Sequence, residues 1–249
     1  MITLSERGVV MSKKKIAIIS LSAFIVVIAI GLFLFMFFFG MTDIQTNERI
    51  DSSKKTVICI GDSITYGYAI PNRDKNSYPE VLGSMLKDTH NVLGFGVSGS
   101  TVQDSGDQPY TKTSAFKKSV DVNADIVIIM LGTNDSKPEN WKGEEAFIAA
   151  YDKLISNYQK DGAKIYICTP PVAHENIDFS PPITSFDVDI TIVPVISEAL
   201  KKYATDKGFE LIDINAFTMQ HDNFYYADGV HLDAIGAKAV AEYICDIIK

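Results

Sequence analysis

Hydrophobic residues alternate along the chain between short unbroken runs and longer stretches with helical spacing. The unbroken runs predict β-strands over residues 57–60, 91–95, 125–131, 164–168 and 210–212. Helical spacing predicts helices over residues 78–87, 144–160, 190–207 and 233–248. This alternation is typical of an α/β fold, in which right-handed crossovers place helices on both faces of a parallel sheet.

A longer apolar segment precedes the first strand. Residues 16–39 carry no charge, and a helix of roughly 20 such residues is long enough to cross a bilayer. Lysines occupy positions 13–15 directly before it, whereas Asp43 and Glu48 follow it. The positive-inside rule then predicts a cytoplasmic N-terminus, with everything after the segment outside the cytoplasm.

A cleaved signal peptide is the alternative interpretation of this segment. The apolar core of a signal peptide has about 7–15 residues and ends at small residues. Here the run is longer and ends at Phe37, Phe38 and Phe39. We therefore expect four regions: a short basic cytoplasmic N-terminus (1–15), an uncleaved single-pass membrane anchor (16–40), a linker (41–54) and one extracytoplasmic domain (55–249).

Charge and cysteine content limit the partners of this domain. Residues 55–249 carry 17 Lys and Arg against 27 Asp and Glu, which argues against binding to nucleic acid. Cys59, Cys168 and Cys245 lack metal-ligand spacing and fall within apolar stretches. We expect three small buried side chains, although a disulfide between two of them stays open.

Two short segments near opposite ends of the domain contain a candidate nucleophile and a candidate base. Ser63 follows the first predicted strand within GDSIT, at a strand-to-helix turn that can expose its hydroxyl group. A serine needs a base, and His231 lies three residues after Asp228 in DGVH. That spacing allows Asp228 to orient the imidazole while the other ring nitrogen accepts the serine proton. Ser63 considered alone could equally be a turn residue or a helix N-cap.

Two further segments supply hydrogen-bond donors at the ends of other strands. Gly99 in GVSGS offers an N–H group without a side chain in the way, and Asn134 in GTND offers a side-chain amide. With the N–H of Ser63 they would make three donors for an oxyanion. Separately, these residues could simply form a tight loop and a helix cap.

Together, the four segments closely resemble the blocks of the SGNH, or GDSL-type, hydrolase family. The resemblance covers residues 55–249 and makes Ser63, Asp228 and His231 the catalytic triad, with Ser63, Gly99 and Asn134 as the oxyanion hole. It implies a flavodoxin-like three-layer α/β/α sandwich with strand order 2-1-3-4-5, hydrolysis through an acyl-enzyme, and no metal or other cofactor. The family usually has Asn five residues before the oxyanion glycine, whereas this chain has Gly94.

The longer stretches around the motifs resemble bacterial esterases that remove acetyl groups from carbohydrates, of the sialate or acetylxylan type. A small-molecule or glycan ester is therefore the expected substrate. Possible substrate contacts are Asp62 beside the nucleophile, Trp141 beyond Asn134, and His174 at a strand end; the loop 173–189 would border the pocket. A lysophospholipase, an acyl-thioesterase and a non-catalytic glycan-binding protein remain alternatives.

Overall fold

The computed structural model describes residues 50–159, 162–175 and 185–249, which all belong to one compact unit. Its strands form one five-stranded parallel sheet in the order β2-β1-β3-β4-β5, as predicted. The strands are β1 (Lys55–Gly61), β2 (His90–Gly96), β3 (Ile126–Met130), β4 (Lys164–Cys168) and β5 (Glu210–Ile212).

Helices cover both faces of the sheet. Within the described residues they are α1 (Ser63–Tyr66), α2 (Arg73–Asn76), α3 (Tyr78–Met85), α4 (Ser114–Val120), α5 (Glu144–Ile155), α6 (Ile192–Lys207), α7 (Ile214–Thr218) and α8 (Ala234–Ile248). The four longest correspond to the predicted helices. The others escaped prediction because four to seven residues are too few to show a helical period.

Helix α5 ends five residues before its predicted end. Tyr158 donates its N–H to the carbonyl of Ile155, three residues earlier, whereas an α-helix would pair it with the carbonyl four residues earlier. The side chain of Asn157 donates to the carbonyl oxygens of Lys153 and Leu154. An asparagine side chain thus takes the place of backbone donors, and the helix stops there.

Alternate residues of the strands contribute to two separate cores. Val57 and Cys59 of β1 pack toward α3 and α8, whereas Ile58 and Ile60 pack toward α5 and α6. Every residue of β3 is buried, as expected for a central strand covered on both faces. This double burial fixes the register of the strands and therefore the positions of the loops that follow them.

The three cysteines are free and buried on the α3–α8 side of the sheet, as expected from the sequence. Burial raises the pKa of Cys59 to about 12, because the apolar surroundings disfavour the thiolate. These side chains therefore fill space in the core.

The predicted cytoplasmic segment (1–15), the predicted anchor (16–40) and the first part of the predicted linker lie outside the described residues. Among residues 50–159, 162–175 and 185–249, no helix combines the length and apolarity needed to cross a bilayer.

Candidate active site

Ser63 lies at the carboxyl end of β1, on the turn that leads into α1. It is the first residue of that helix, and Asp62 caps the helix by accepting the N–H of Ile64 at 2.9 Å through Oδ1. The cap turns the chain sharply after the strand. The hydroxyl group of Ser63 therefore lies at the carboxyl ends of the strands, next to the segments that contain Gly99 and Asn134. Only 6% of the residue is exposed.

His231 brings the far end of the domain to this serine. Its Nε2 lies 2.9 Å from Oγ of Ser63, and its Nδ1 lies 2.9 Å from Oδ2 of Asp228. His231 is buried, with 5% of the residue exposed. The structure thus brings together the three residues that the sequence predicted as a triad.

Hydrogen bonds to Asp228 determine which imidazole nitrogen carries the proton. Burial by itself would raise the pKa of Asp228, but hydrogen bonds from the His231 ring and from the N–H groups of His231 and Val230 outweigh it and lower that pKa. The carboxylate is therefore ionised at neutral pH and can only accept. In the tautomer that this contact selects, Nδ1 donates to the carboxylate, which leaves Nε2 as the acceptor for the Ser63 hydroxyl.

The loop that carries Asp228 and His231 is held by its own hydrogen bonds. Oδ1 of Asp228 accepts the N–H groups of Val230 and His231 at 2.9 and 2.8 Å, while its other oxygen holds the ring. Tyr226 donates its N–H to the carbonyl of His231 at 2.9 Å. The three-residue spacing in DGVH therefore serves the backbone as well as the side chains, because the same carboxylate closes an Asx-type turn.

Gly229 in this loop contacts the chain after β4. Its φ is 71°, and a Cβ there would lie 2.3 Å from the carbonyl oxygen of His174. His174 in turn donates its N–H to the carbonyl of Gly229 at 2.8 Å. Only glycine satisfies both the left-handed backbone and this close approach.

The side chain of His174 lies near Tyr225 and Asp222. Its ring lies 4.8 Å from the ring of Tyr225, and its Nε2 lies 3.9 Å from Oδ1 of Asp222. Through its backbone His174 supports the Asp228 loop. Its predicted contact with substrate stays a prediction.

Asn134 lies between the nucleophile turn and the glycine turn. It begins a short 3-10 turn after β3, and its Nδ2 is 3.4 Å from Oδ2 of Asp62 and 3.3 Å from the carbonyl of Ser100. These two acceptors neighbour Ser63 and Gly99, and Gly99 has the positive φ of 80° that its tight turn requires. Both contacts of the amide are long, so its donors can be redirected to a stronger acceptor.

A buried network behind Asn134 fixes both turns. Asp135 accepts the N–H groups of Val102 and Gln103, each at 2.9 Å, and thereby ties the segment after Gly99 to the end of β3. Asn140 donates to the carbonyl of Asn134 at 2.9 Å. In the sequence, Asp135 stands out only as the last residue of GTND, and Asn140 lies outside the four motifs. The position of Asp135 directly after Asn134 was the one available signal.

Asp62 and Asp135 are two buried carboxyl groups beneath these turns. Burial raises the pKa of each to about 6, and the hydrogen bonds from the backbone N–H groups only partly offset that effect. Asp62 is 1% exposed. It supports the turn of Ser63 from within, and its predicted contact with substrate stays a prediction.

Two other positions singled out in the sequence have packing roles. Trp141 packs against the α5–α6 core, with its ring 6.2 Å from the ring of Phe147. A Cβ on Gly94 would lie 3.3 Å from Cβ of Pro79, so the residue that replaces the usual asparagine allows α3 to approach β2. The predicted sugar contact of Trp141 stays a prediction.

Two aromatic side chains that the sequence analysis did not name lie against His231. The ring of Tyr68 is 4.5 Å from the imidazole and tilted by 39°, and the ring of Phe186 is 4.9 Å away and nearly perpendicular at 88°. Phe186 belongs to the loop that was expected to border the pocket. Tyr68 gave no sequence signal, since a tyrosine in a loop is ordinary.

Among the described residues, no group of three or more His, Cys, Asp or Glu side chains is arranged to hold a metal ion.

The chain matches a known family over most of its length. The profile of the "GDSL-like Lipase/Acylhydrolase family" matches residues 59–239. An acetylxylan esterase of Xylanibacter ruminicola is 36% identical over 214 residues, which cover 78% of this chain and 43% of the relative. The chain therefore spans less than half the length of that curated relative.

Solved structures share the fold. A carbohydrate acetylesterase family member of Sinorhizobium meliloti has a TM-score of 0.65 at 22% identity, covering 78% of this chain and 97% of the other. The aryl esterase of M. smegmatis has a TM-score of 0.61 at 18% identity, covering 78% and 98%. At these identities the similarity establishes a common fold.

Burial of Asp62 predicts a pH-dependent stability. Its pKa is about 6 in the folded protein against an ordinary value of 3.8, so the folded state binds more protons between these values. The stabilisation is complete below about pH 4 and is lost as the pH rises through about 6. Asn cannot ionise, so in Asp62→Asn the free energy of unfolding should decline less over this range. The difference is at most about 3 kcal/mol, since one pKa unit corresponds to ~1.4 kcal/mol.

Urea denaturation at several pH values measures this difference. Asp246→Asn is the matched control, because the side chain of Asp246 is 78% exposed, and its curve should run parallel to that of the unmodified protein. The free energy of unfolding of Asp62→Asn could instead depend on pH in the same way as that of the unmodified protein. In that case Asp62 is ionised in the folded state without penalty, and the interpretation is wrong.

Proposed function

The chain belongs to the GDSL-like lipase/acylhydrolase family, whose members are ester hydrolases, and on that basis we propose that it is a serine esterase that removes acetyl groups from carbohydrates. The continuous hydrogen-bonded series from Asp228 through His231 to Ser63 carries this proposal. A binding protein has no need for a carboxylate, an imidazole and a serine hydroxyl arranged in this hydrogen-bonded series.

In the first step, Oγ of Ser63 attacks the carbonyl carbon of the ester while Nε2 of His231 takes the hydroxyl proton. The imidazole becomes a cation, and the carboxylate of Asp228 stabilises it at 2.9 Å. The carbonyl π electrons move to oxygen, so the tetrahedral intermediate carries one negative charge on that atom.

The N–H groups of Ser63 and Gly99 and the side-chain amide of Asn134 would stabilise this oxyanion. The amide has only two long contacts to give up, to Asp62 and to the carbonyl of Ser100, so a charged oxygen competes well for it. Collapse of the intermediate breaks the bond to the alcohol oxygen, which receives the proton from Nε2 of His231. Water then repeats the sequence on the acetyl-enzyme and releases acetate.

The relative supports a carbohydrate as the alcohol part of the substrate. The acetylxylan esterase of X. ruminicola is 36% identical over 214 residues. An ester of this class carries a short acyl group on a sugar hydroxyl. A lysophospholipase would prefer a long acyl chain, and an acyl-thioesterase would cleave a bond to sulfur instead of oxygen. A glycan-binding protein would show no turnover at all.

Ser63→Ala should abolish hydrolysis of p-nitrophenyl acetate and release of acetate from acetylated xylan, because no other residue in the proposed mechanism can form the acyl-enzyme. The expected decrease in kcat is about 10⁴-fold or more. Circular dichroism should be unchanged. Turnover by Ser63→Ala at the unmodified rate would remove Ser63 from the nucleophile role.

Acyl length separates the candidate substrates. We expect kcat/KM to fall steadily from the p-nitrophenyl ester of acetate to those of butyrate and octanoate. A maximum at octanoate would instead favour a lipase or lysophospholipase. No hydrolysis of any ester or thioester would favour the binding protein.

Asn134→Ala should lower kcat by roughly 10²-fold or more, with little change in KM, because the amide is proposed to act on the oxyanion and not on the bound ester. Asn157→Ala serves as a control, since Asn157 caps the end of α5, away from the carboxyl ends of the strands where the site lies. An unchanged kcat in Asn134→Ala would contradict the oxyanion role.

We also propose that residues 16–40 anchor the protein as a single-pass membrane protein with its catalytic domain outside the cytoplasm. The uncharged run at 16–39 and the preceding lysines support this orientation. Protease added to intact cells should digest the domain while leaving a cytoplasmic control protein whole. Digestion only after lysis would contradict the orientation.

A further inference from the structure

An aromatic pair, Tyr68 and Phe186, lies on the imidazole of His231 without being part of the proposed catalytic mechanism. The two rings contact each other edge to face at 5.8 Å, and each contacts the imidazole. Tyr68 is 38% exposed and Phe186 47% exposed, so the pair also faces solvent. Large aromatic side chains left partly open beside a reactive group are typical of a binding surface.

The loop of Tyr68 is attached to both catalytic segments. Tyr68 donates its N–H to the carbonyl of Ser63 at 3.0 Å. The next carbonyl, that of Ala69, accepts the hydroxyl of Tyr226 at 3.1 Å from the His231 loop. Ala69 has a φ of 61°, a left-handed conformation that is unusual for a residue with a Cβ. These attachments hold the ring of Tyr68 against the imidazole.

Phe186 is held by its backbone conformation and by the buried residue that follows it. It has a φ of 63°, and Asp187 after it has 56°, two consecutive left-handed residues that are not glycine. Val188 follows and is buried in a small cluster with Val230, the neighbour of His231. The cluster fixes the segment, and the left-handed turn directs the ring toward His231. Such backbone conformations persist where the surroundings enforce them and are common at ligand sites.

The chemistry determines which part of an ester reaches this pair. His231 gives its proton to the alcohol oxygen when the intermediate collapses, so the alcohol must lie at the Nε2 side of the imidazole. The carbonyl oxygen is directed instead toward the donors Gly99 and Asn134. Groups packed on the imidazole therefore adjoin the alcohol part of the substrate more closely than the oxyanion.

We propose that Tyr68 and Phe186 form a subsite for the alcohol part of the substrate, selecting alcohols that contain a six-membered ring with an apolar face, such as a pyranose or an aryl ring. This assignment rests on the proposed ester hydrolysis at Ser63. The faces and edges of two aromatic rings set nearly at right angles offer an apolar corner for such a ring. The pair thus selects the leaving group of the ester.

The test compares acetate esters that differ only in the alcohol. Phenyl acetate and a mono-O-acetylated methyl β-xylopyranoside contain a ring, and methyl acetate does not. In Tyr68→Ala and in Phe186→Ala, the ratio of kcat/KM for each ring ester to kcat/KM for methyl acetate should fall about 5- to 10-fold, mainly through KM. Tyr68→Phe keeps the ring and should keep most of the ratio. Ile247→Ala, at a distant residue that is 37% exposed, should keep all of it.

Two results would overturn the subsite. If the alanine variants lose activity equally on all three esters, mainly in kcat, the pair only positions His231. If the ratio does not change, the pair does not contact the leaving group.

A binding measurement separates this proposal from the proposed function. In the full-length Ser63→Ala protein in detergent, ligand-observed NMR with phenyl β-xylopyranoside measures binding without turnover. We expect binding, weakened at least about 5-fold when Tyr68→Ala is added. If the unmodified protein hydrolyses none of the esters and binding still depends on Tyr68, the ring-binding subsite stands and the esterase proposal is rejected. No binding, or binding indifferent to Tyr68, would reject the subsite itself.

Discussion

The hydrogen bond between Oγ of Ser63 and Nε2 of His231 is the interaction on which the proposed activity depends. It joins residues 168 positions apart at 2.9 Å. A single hydrogen bond contributes only about 1 kcal/mol net, far too little to bring two ends of a domain together. The sheet does this instead. β1 ends at Gly61, two residues before Ser63, and α8 begins three residues after His231 and packs against β1 and β3. The buried core therefore brings the two residues together.

A second constraint is that the polar groups of the site are buried and must be satisfied internally. Asp62, Asn134, Asp135 and Asn140 are all nearly inaccessible, and each is hydrogen-bonded to a backbone group of its own or a neighbouring loop. Their network joins the loops after β1, β2 and β3 into one support for the oxyanion donors. Movement of one loop would leave buried polar groups unpaired, which is costly, so the donors are held before substrate arrives.

The sequence predicted the elements that show a hydrophobic period and the residues that belong to a motif. The strands and the longer helices have apolar periods, and the order of the sheet follows from the family resemblance. The meeting of Ser63 with His231 was predicted from chemistry, because a serine nucleophile needs a base and His231 lies three residues after a carboxylate that can orient it. Asn140, Tyr68 and Phe186 could not be found in this way, since their roles depend on loop conformations that have no period. The left-handed backbone at Phe186 is an example, because neither its residue type nor its neighbours indicate it.

The central claim is that His231 activates Ser63 as a nucleophile. Reaction with a serine-directed fluorophosphonate, followed by mass spectrometry of the peptides, measures this directly. The account predicts one adduct, on Ser63, formed in step with the loss of esterase activity and largely absent in His231→Ala. An adduct on another residue, or esterase activity that survives complete modification of Ser63, would contradict it.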